Sequence, residues 1–230
     1  YTSSSIDSVG NGWYRCTLVL TSGVASVTTL AIEDNSGNVS FIGDGTSAIY
    51  IWGGQSEIGS YPTSLISTSG STVTRNQDIF TRDGIGSLIN DSEGVLFLEM
   101  AALTNDLSFR TIALSDGTTN DAVKLYYTST SNSVTMQVRR GGSLEVLSTF
   151  AVSNITDFNK IAVKWKVNDF AMWIGGVEVA TDTSGSVPIG MNRLAFDEGN
   201  GTSNKFFGKV KQLQVFKTAL TDSELATLTT

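Results

Sequence analysis

The sequence predicts an all-β protein that consists of two antiparallel β-sandwiches in series, the first of them partial, and a short C-terminal helix. Apolar and polar residues alternate over short segments along the whole chain, which is the pattern of a strand with one buried face. Clusters of Gly, Asn, Asp and Ser separate these segments at intervals of about ten residues. The 230 residues include only 2 Pro, and no helical periodicity lies between the predicted strands. This arrangement favours antiparallel sandwiches over alternating strands and helices.

The composition changes near residue 75, which predicts two modules. Residues 1–75 contain no lysine, whereas every lysine of the chain lies after that point. Residues 67–74 consist of Ser, Thr, Gly and one Val, which is typical of a linker. We therefore predict one module at 1–75 and a second at 76–230.

Several segments predict individual strands. In the first module these are residues 13–20, 27–32 and 48–52, and we expect Trp13 and the run from Ile49 to Trp52 to pack in a core. In the second module the clearest segments are 95–102, 134–138 and 160–167, with Trp165 on an apolar face. Lys160, Lys164 and Lys166 alternate with that face and indicate a solvated side.

Turns and one helix end are also encoded locally. Gly141-Gly142 and Gly175-Gly176 each follow a strand-like run, and two-residue glycine loops are typical of tight hairpins. Thr221 and Glu224 have the spacing of a capping box, which predicts a helix start near the C-terminus.

The composition excludes several classes of function. The chain has a net charge of −7, no basic stripe and no long apolar run, so binding to nucleic acid or membrane insertion is not expected. It has no histidine and a single cysteine, which removes Ser-His-Asp and Cys-His catalysis and the commonest zinc ligands. Its carboxylates show no strand alternation that would pair two acids as in glycanases, so we predict that the protein is not an enzyme.

Two sets of motifs resemble known modules. Gly12-Trp13-Tyr14-Arg15, residues 41–46 and 49–57, Pro62-Thr63-Ser64 and residues 72–75 resemble a carbohydrate-binding-module-like jelly roll that recurs in bacteriophage tail and appendage proteins. Residues 173–177 and 207–225 are similar to the concanavalin A-like or laminin G-like lectin sandwich. A jelly roll has about eight strands, so residues 1–75 are expected to be the C-terminal part of the first module, with further strands upstream.

The resemblance implies a bacteriophage virion protein, such as a tail fibre, appendage or head fibre, exposed on the virion surface. It would adhere to host cell-surface glycans without cleaving them and would contact other virion proteins, and fibres of this kind are often homotrimers. Two alternatives stay open: a purely structural decoration or assembly protein that binds no sugar, and a secreted bacterial adhesin module.

Aromatic, amide and charged side chains supply the candidate ligand contacts. Sugar sites stack rings on exposed aromatic faces and fix hydroxyl groups with polar side chains, and Arg suits planar carboxylates. The candidates on these grounds are Tyr14, Arg15, Gln55, Glu57, Arg139 and Trp173. Each of them also has an ordinary role in packing or in a turn.

No cofactor is expected to be required, and Ca²⁺ is the one ion that the resemblance suggests. Laminin G-like relatives often hold calcium at a loop edge. Asp116, Asn120 and Asp121 offer hard oxygen ligands in one loop, and residues 197–200 do so in another. Neither loop has EF-hand spacing, and the same residue types are ordinary turn formers.

Overall fold

A computed structural model describes residues 3–20, 31–34, 36–40, 42–76 and 78–230. The chain divides into two compact units, residues 1–75 and residues 76–230. Apart from one short 3₁₀ turn and one C-terminal helix, the regular structure of the described residues is β-strand. The predicted all-β class is therefore confirmed.

The first unit contains one β-hairpin. Strand β1 (Ser3–Gly10) pairs antiparallel with β2 (Trp13–Val19), with Ile6 opposite Cys16. Asn11 and Gly12 form the two-residue turn, and both have positive φ (52° and 78°), as tight hairpin turns require. The strand predicted at 13–20 is thus confirmed, but Trp13 is exposed and not in a core.

Residues 48–52 do not form the predicted closing strand. The described residues from 31 to 76 include neither strand nor helix, and residues 27–30 lie outside the described part of the chain. Tyr50 is 86% exposed and Trp52 is 75% exposed, so the prediction that this run packs in a core is wrong. The alternation of the sequence predicts a buried strand, but no described neighbouring strand pairs with this segment.

The second unit is a complete two-sheet sandwich. Its strands, in chain order, are β3 (Thr81–Arg82), β4 (Glu93–Ala102), β5 (Arg110–Ser115), β6 (Ala122–Tyr127), β7 (Ser133–Arg140), β8 (Ser143–Ala151), β9 (Asn159–Lys166), β10 (Phe170–Ile174), β11 (Val177–Asp182), β12 (Arg193–Ala195) and β13 (Gly208–Phe216). A 3₁₀ turn spans Gly86–Leu88, and helix α1 spans Asp222–Thr229.

The strands form two antiparallel sheets. The five-stranded sheet has the order β11-β10-β9-β4-β13, and the six-stranded sheet has the order β3-β12-β5-β6-β7-β8. Apolar side chains of both sheets meet between them, among them Leu98 of β4, Leu125 of β6 and Met136 of β7. Trp165 is fully buried in this core, as its position on the strand predicts.

Helix α1 covers the outer face of the five-stranded sheet. Its Leu225 packs with Val95, Phe97, Ala162 and Trp173 in a second apolar cluster. Trp173 is therefore only 7% exposed, and the prediction that it is an exposed contact residue is wrong. Lys164 belongs to the same covered side and is buried, with Asp169 at 2.6 Å, so the expected solvated lysine face is also wrong at this position.

The local turn and cap signals are confirmed. Gly141-Gly142 joins β7 to β8, Gly175-Gly176 joins β10 to β11, and all four glycines have positive φ. Thr221 and Glu224 form both hydrogen bonds of a capping box at the start of α1. None of the helical segments in the described part of the chain has the length and apolar character of a membrane span.

Candidate functional site

The outer face of the six-stranded sheet carries a polar pocket of about 300 Å³. A volume of this order is at the lower end of the range for small-molecule sites. Strands β5, β6 and β7 form its floor, and the segments before β5, between β5 and β6 and between β12 and β13 form its walls. The lining residues are Phe109, Thr111, Thr119, Lys124, Tyr126, Gln137, Arg139, Glu198 and Asn204.

Strand alternation explains why polar side chains converge here. In β6, Val123 and Leu125 point into the core, so Lys124 and Tyr126 lie on the opposite face. Gln137 of β7 is the direct cross-strand partner of Lys124. Arg139 lies two residues farther along β7 and is therefore the diagonal neighbour of Lys124 on the same face, a position usually about 7–8 Å away.

A loop of residues 197–204, which we call the cover loop, forms one wall. It is held against β5 because the Thr111 amide donates to the Asn204 carbonyl at 2.9 Å. Within the loop, the Asp197 carboxylate accepts from the Gly199 and Gly201 amides at 2.7 and 3.1 Å. Gly199 has φ of 99°, and a Cβ there would meet Ser115 at 2.8 Å, so the close approach of this loop to the sheet requires glycine.

Lys124 lies at the floor of the pocket without a fixed partner. The residue is only 5% exposed, yet its ammonium group forms no hydrogen bond or ion pair with any residue that the structure describes. Burial lowers the pKa of Lys124, and the positive charge of Arg139 adds to this effect, whereas Glu198 and Asp197 oppose it. Because no described residue forms a hydrogen bond or ion pair with it, the ammonium group can bind an anionic group of a ligand directly.

Arg139 is held in place by its own hairpin. Its Nη1 donates to the Gly142 carbonyl at 2.9 Å, and its Nε reaches Gln137 Oε1 at 3.4 Å. These contacts orient the guanidinium and leave Nη2 without a partner among the described residues. The Gln137 amide group likewise keeps its N–H donors for a ligand.

Two aromatic residues form the apolar side of the pocket. Phe109 and Tyr126 lie with their ring centroids 6.2 Å apart and their planes tilted by 37°. Burial raises the pKa of Tyr126, and although Arg139 opposes this shift, Glu198 adds to it. The phenol is therefore a protonated hydroxyl at neutral pH, able to donate to a ligand oxygen.

Glu198 is the negatively charged acceptor of the site. Its carboxylate accepts from the Asn204 amide and from the Ser203 hydroxyl at 3.1 Å, both within the cover loop. A carboxylate has about four lone-pair positions, so Glu198 can accept further hydrogen bonds from ligand hydroxyl or N–H groups. Of the described residues that line the pocket, Glu198 is the one that bears a carboxylate.

Of the six predicted ligand residues, the structure places Arg139 in this pocket and Trp173 beneath helix α1. The other four belong to the first unit, where Tyr14 is exposed on β2. Arg15, Gln55 and Glu57 form hydrogen bonds to the segment 63–66, and we call these three residues together with that segment the Glu57 cluster. Glu57 accepts from the Thr63 amide and hydroxyl at 2.7 Å, Gln55 accepts from the Ile66 amide at 2.7 Å, and Arg15 donates to the Thr63 carbonyl at 2.5 Å.

The Glu57 cluster therefore stabilises its own loop. Although desolvation alone would raise it, the pKa of Glu57 is lowered by hydrogen bonds from Thr63 and Gln55 and by the charge of Arg15. The residues that the sequence offered as ligand contacts thus have intramolecular partners here.

The two candidate calcium loops are also engaged in internal hydrogen bonds. Asp121 accepts from Arg140 at 3.2 Å and from the Gly141 and Ile189 amides at 3.1 and 3.0 Å. Asp116 accepts from the Thr118 amide and hydroxyl, the Asn120 amide donates to Thr118 Oγ1, and the Asn120 carbonyl accepts from the Gly142 amide. Among the described residues, no three His, Cys, Asp or Glu side chains lie close enough together to hold a metal ion. Calcium binding therefore stays a prediction without support from these contacts.

Sequence reasoning missed most of the pocket. Lys124 and Tyr126 lie in a strand whose other residues are mostly apolar. A lysine within such an apolar run is the sequence signal that could have pointed to this pocket. Glu198 was considered as a calcium ligand, and its approach to the sheet depends on the cover loop, whose position no local pattern predicts.

Comparisons with known proteins identify the fold but no family. No protein-family model matches the chain, and no curated protein matches it in sequence. The CBM40 carbohydrate-binding module of Ruminococcus gnavus IT-sialidase, solved with alpha2,3 sialyllactose, is similar over 63% of this chain and 86% of its own, with a TM-score of 0.51 and 16% identity.

A second solved structure, NanB plus Optactamide, is similar over 66% of this chain with a TM-score of 0.51 and 16% identity. The match covers 26% of that protein, so it concerns one part of a larger chain. At such identities the likeness shows the fold alone. The predicted lectin-like β-sandwich is thereby confirmed as the fold that this chain shares with a carbohydrate-binding module.

Proposed function

We propose that this chain is a non-catalytic glycan-binding protein and that the pocket of β5, β6 and β7 is its binding site. The observation that carries the proposal is the combination of side chains in one concavity: an aromatic wall, amide groups, a hydroxyl and unpartnered cationic donors. Sugars present apolar ring faces and many hydroxyl groups, which suit such a lining. The likeness in fold to a carbohydrate-binding module supports the same assignment.

Binding without cleavage fits the charges of the pocket. Glycoside hydrolysis ordinarily needs two carboxyl groups on opposite sides of the scissile bond, about 5–9.5 Å apart. The pocket has Glu198, whereas the neighbouring Asp197 is buried and uses its carboxylate to hold two loop amides. A single acid beside two cations favours recognition.

The biological setting that we propose is adhesion to host-cell glycans from the surface of a bacteriophage virion, as a tail fibre, appendage or head fibre. This part of the proposal is supported by the motifs of residues 10–78, which resemble modules of phage tail proteins. A trimeric assembly and contacts with other virion proteins belong to the same proposal.

One observation favours assembly as a second role. None of the described residues of the first unit is buried, and its aromatic and aliphatic side chains, among them Tyr50 and Trp52, are largely exposed. Exposed apolar surface of this extent is typical of protein–protein contacts. In this role the first unit would attach the glycan-binding sandwich to a larger particle.

The proposed function is tested by applying the full chain, fluorescently labelled, to a glycan array and to host cells, together with a reducing-end assay. We expect saturable binding to a subset of glycans and no release of reducing ends. A Gln137→Ala/Tyr126→Ala variant should lose binding, whereas Lys209→Gln, an exposed position on β13 of the other sheet, should keep it. Absence of binding to every glycan would refute glycan recognition, and released sugar would refute the non-catalytic part.

A further inference from the structure

We propose that the glycan recognised by this pocket carries a carboxylate, and that Lys124 and Arg139 bind that group together. This inference rests on the proposed function of the pocket and specifies the class of sugar. It is argued from the balance of donors, acceptors and charges in the site.

The first argument is the state of Lys124. A lysine in the interior of a sheet face normally pairs its ammonium group with an anion or an acceptor. Lys124 lies at the floor of the pocket with most of its surface covered, and among the described residues its Nζ forms neither a hydrogen bond nor an ion pair. A cation kept in this condition facing a concavity indicates an anionic ligand.

The second argument is the surplus of donors. Lys124, Arg139 Nη2, the Gln137 amide and the Tyr126 hydroxyl all line the pocket and donate no hydrogen bond to a described residue. These donors lie on β6 and β7, whereas the carboxylate of Glu198 lies on the cover loop. A carboxylate of the ligand, which only accepts hydrogen bonds, suits the Lys124–Arg139 side better than a hydroxyl group, which also donates.

The third argument is the placement of two cations on one side of the pocket. Lys124 and Arg139 are diagonal neighbours on the same face of the sheet, whereas Glu198 lies on the cover loop and the Asp197 carboxylate is held by two loop amides. The Lys124–Arg139 side therefore suits an anionic group of a ligand. The orientation of the Arg139 guanidinium is already fixed by Gly142 and Gln137, and its Nη2 can donate a charge-assisted hydrogen bond to a carboxylate oxygen.

The remaining residues give the carboxylated sugar an orientation. With the acid group between Lys124 and Arg139, the Phe109–Tyr126 wall lies beside the apolar part of the ring. Glu198, on the cover loop, can then accept from a ring hydroxyl or an N–H substituent. The pocket thus contacts three parts of one acidic sugar: its carboxylate, the apolar part of its ring, and a hydroxyl or N–H group.

The test compares matched ligands on the full chain. The probes are oligosaccharides that end in galactose, in galacturonic acid, in the methyl ester of galacturonic acid and in galactose 6-sulfate, together with a sialylated glycan and its methyl ester. We expect one or both free acids to bind at least about tenfold more tightly than the corresponding ester, which is the effect of losing a charge-assisted hydrogen bond. The neutral and sulfated glycans should bind more weakly than the free acid.

The outcomes separate this inference from the proposed function. Equal affinity for a free acid and its ester, or preference for the sulfated or neutral glycan, overturns the carboxylate and leaves glycan binding standing. Binding to none of the probes or other array glycans refutes the function itself. Because the comparison changes the ligand and not the protein, it does not depend on how a variant folds.

Variants provide a second, independent readout. Lys124→Met should reduce affinity for the free acid at least about tenfold, and Arg139→Gln should do the same, whereas Lys209→Gln should leave it unchanged. Lys124→Met should also have an equal or higher melting temperature, because burial disfavours the charged form of Lys124 and no described residue binds its ammonium group. A lower melting temperature together with unchanged affinity would show that Lys124 is structural and would overturn the inference.

Discussion

At the scale of single residues, the protonation of Lys124 controls the charge of the pocket. Burial lowers its pKa, and the charged groups that face it are Arg139, Glu198 and Asp197, with the Tyr126 phenol beside them. Since the folded state has the lower pKa, the unfolded chain binds the proton more tightly, and the stability cost of the buried ammonium is relieved as pH rises through the folded pKa. Below that pKa the lysine is charged and can bind an anion.

This predicts that affinity for a carboxylated glycan begins to fall at a pH below the ordinary pKa of lysine. The reason is that the free protein loses the Lys124 proton early, so binding then requires a proton from solvent. Isothermal titration calorimetry in buffers of different ionisation enthalpy would show this proton uptake. Lys124→Arg should keep its affinity across the same pH range, and an identical pH profile for both proteins would contradict the prediction.

A second residue-scale prediction concerns Gly199 of the cover loop. Both Gly199 and Gly201 have positive φ, but a Cβ at Gly199 would also meet Ser115 and the Thr118 carbonyl, whereas Gly201 has open space. Gly199→Ala should therefore cost about 1–3 kcal/mol from overpacking in addition to backbone strain, and should weaken glycan binding by displacing Glu198. Gly201→Ala should show only the smaller strain effect. Thermal unfolding and titration of both variants measure the difference, and equal losses would show that contact with Ser115 is unimportant.

At the scale of elements, helix α1 acts as the cover of the five-stranded sheet. Leu225 is fully buried against Val95, Phe97 and Trp173, and the Gly176 amide donates to Thr229 Oγ1 at 3.0 Å. The helix has only eight residues and is too short to be stable alone, so this packing maintains it. In return, the helix keeps two large aromatic side chains out of water.

We therefore predict that Leu225→Ala destabilises the second unit by about 2–5 kcal/mol, the usual cost of removing a buried leucine side chain. Ser223→Ala, on the exposed side of the first helical turn, should have little effect. Denaturant unfolding followed by tryptophan fluorescence is suitable, because Trp173 lies under the helix. Similar midpoints for the two variants would mean that α1 does not stabilise the sheet.

Local sequence signals predicted the elements of the second unit well, because each of these signals depends only on residues that are close together in the sequence. The glycine hairpins at 141–142 and 175–176, the capping box at Thr221 and the burial of Trp165 follow from turn geometry, helix-end hydrogen bonding and strand period. The failures involve partners distant in sequence. Trp173 and Lys164 were expected to be exposed because the pattern does not reveal that a C-terminal helix covers that face, and the pocket depends on a cover loop about 70 residues from Lys124.

At the scale of the whole molecule, the two units differ in how they are stabilised. Every buried apolar residue that the structure describes lies in the second unit, between Ile89 and Leu225. A unit with its own core is expected to fold alone, whereas a two-stranded hairpin is marginal in water without further packing. The first unit has such a hairpin and the Glu57 cluster, and its described apolar side chains are largely exposed.

This predicts that residues 76–230, expressed alone, unfold in a single cooperative transition and bind the same glycans with the same affinity as the full chain. All the residues that line the pocket and all the residues of both apolar clusters are present in this fragment. Residues 1–75 alone should show no cooperative unfolding, because the hydrogen bonds of its hairpin and loop are exposed to competing water. Calorimetry and glycan titration of the two fragments and the full chain provide the comparison. If the larger fragment folds but loses affinity, the site requires the first unit, and recognition would have to be assigned to both units together.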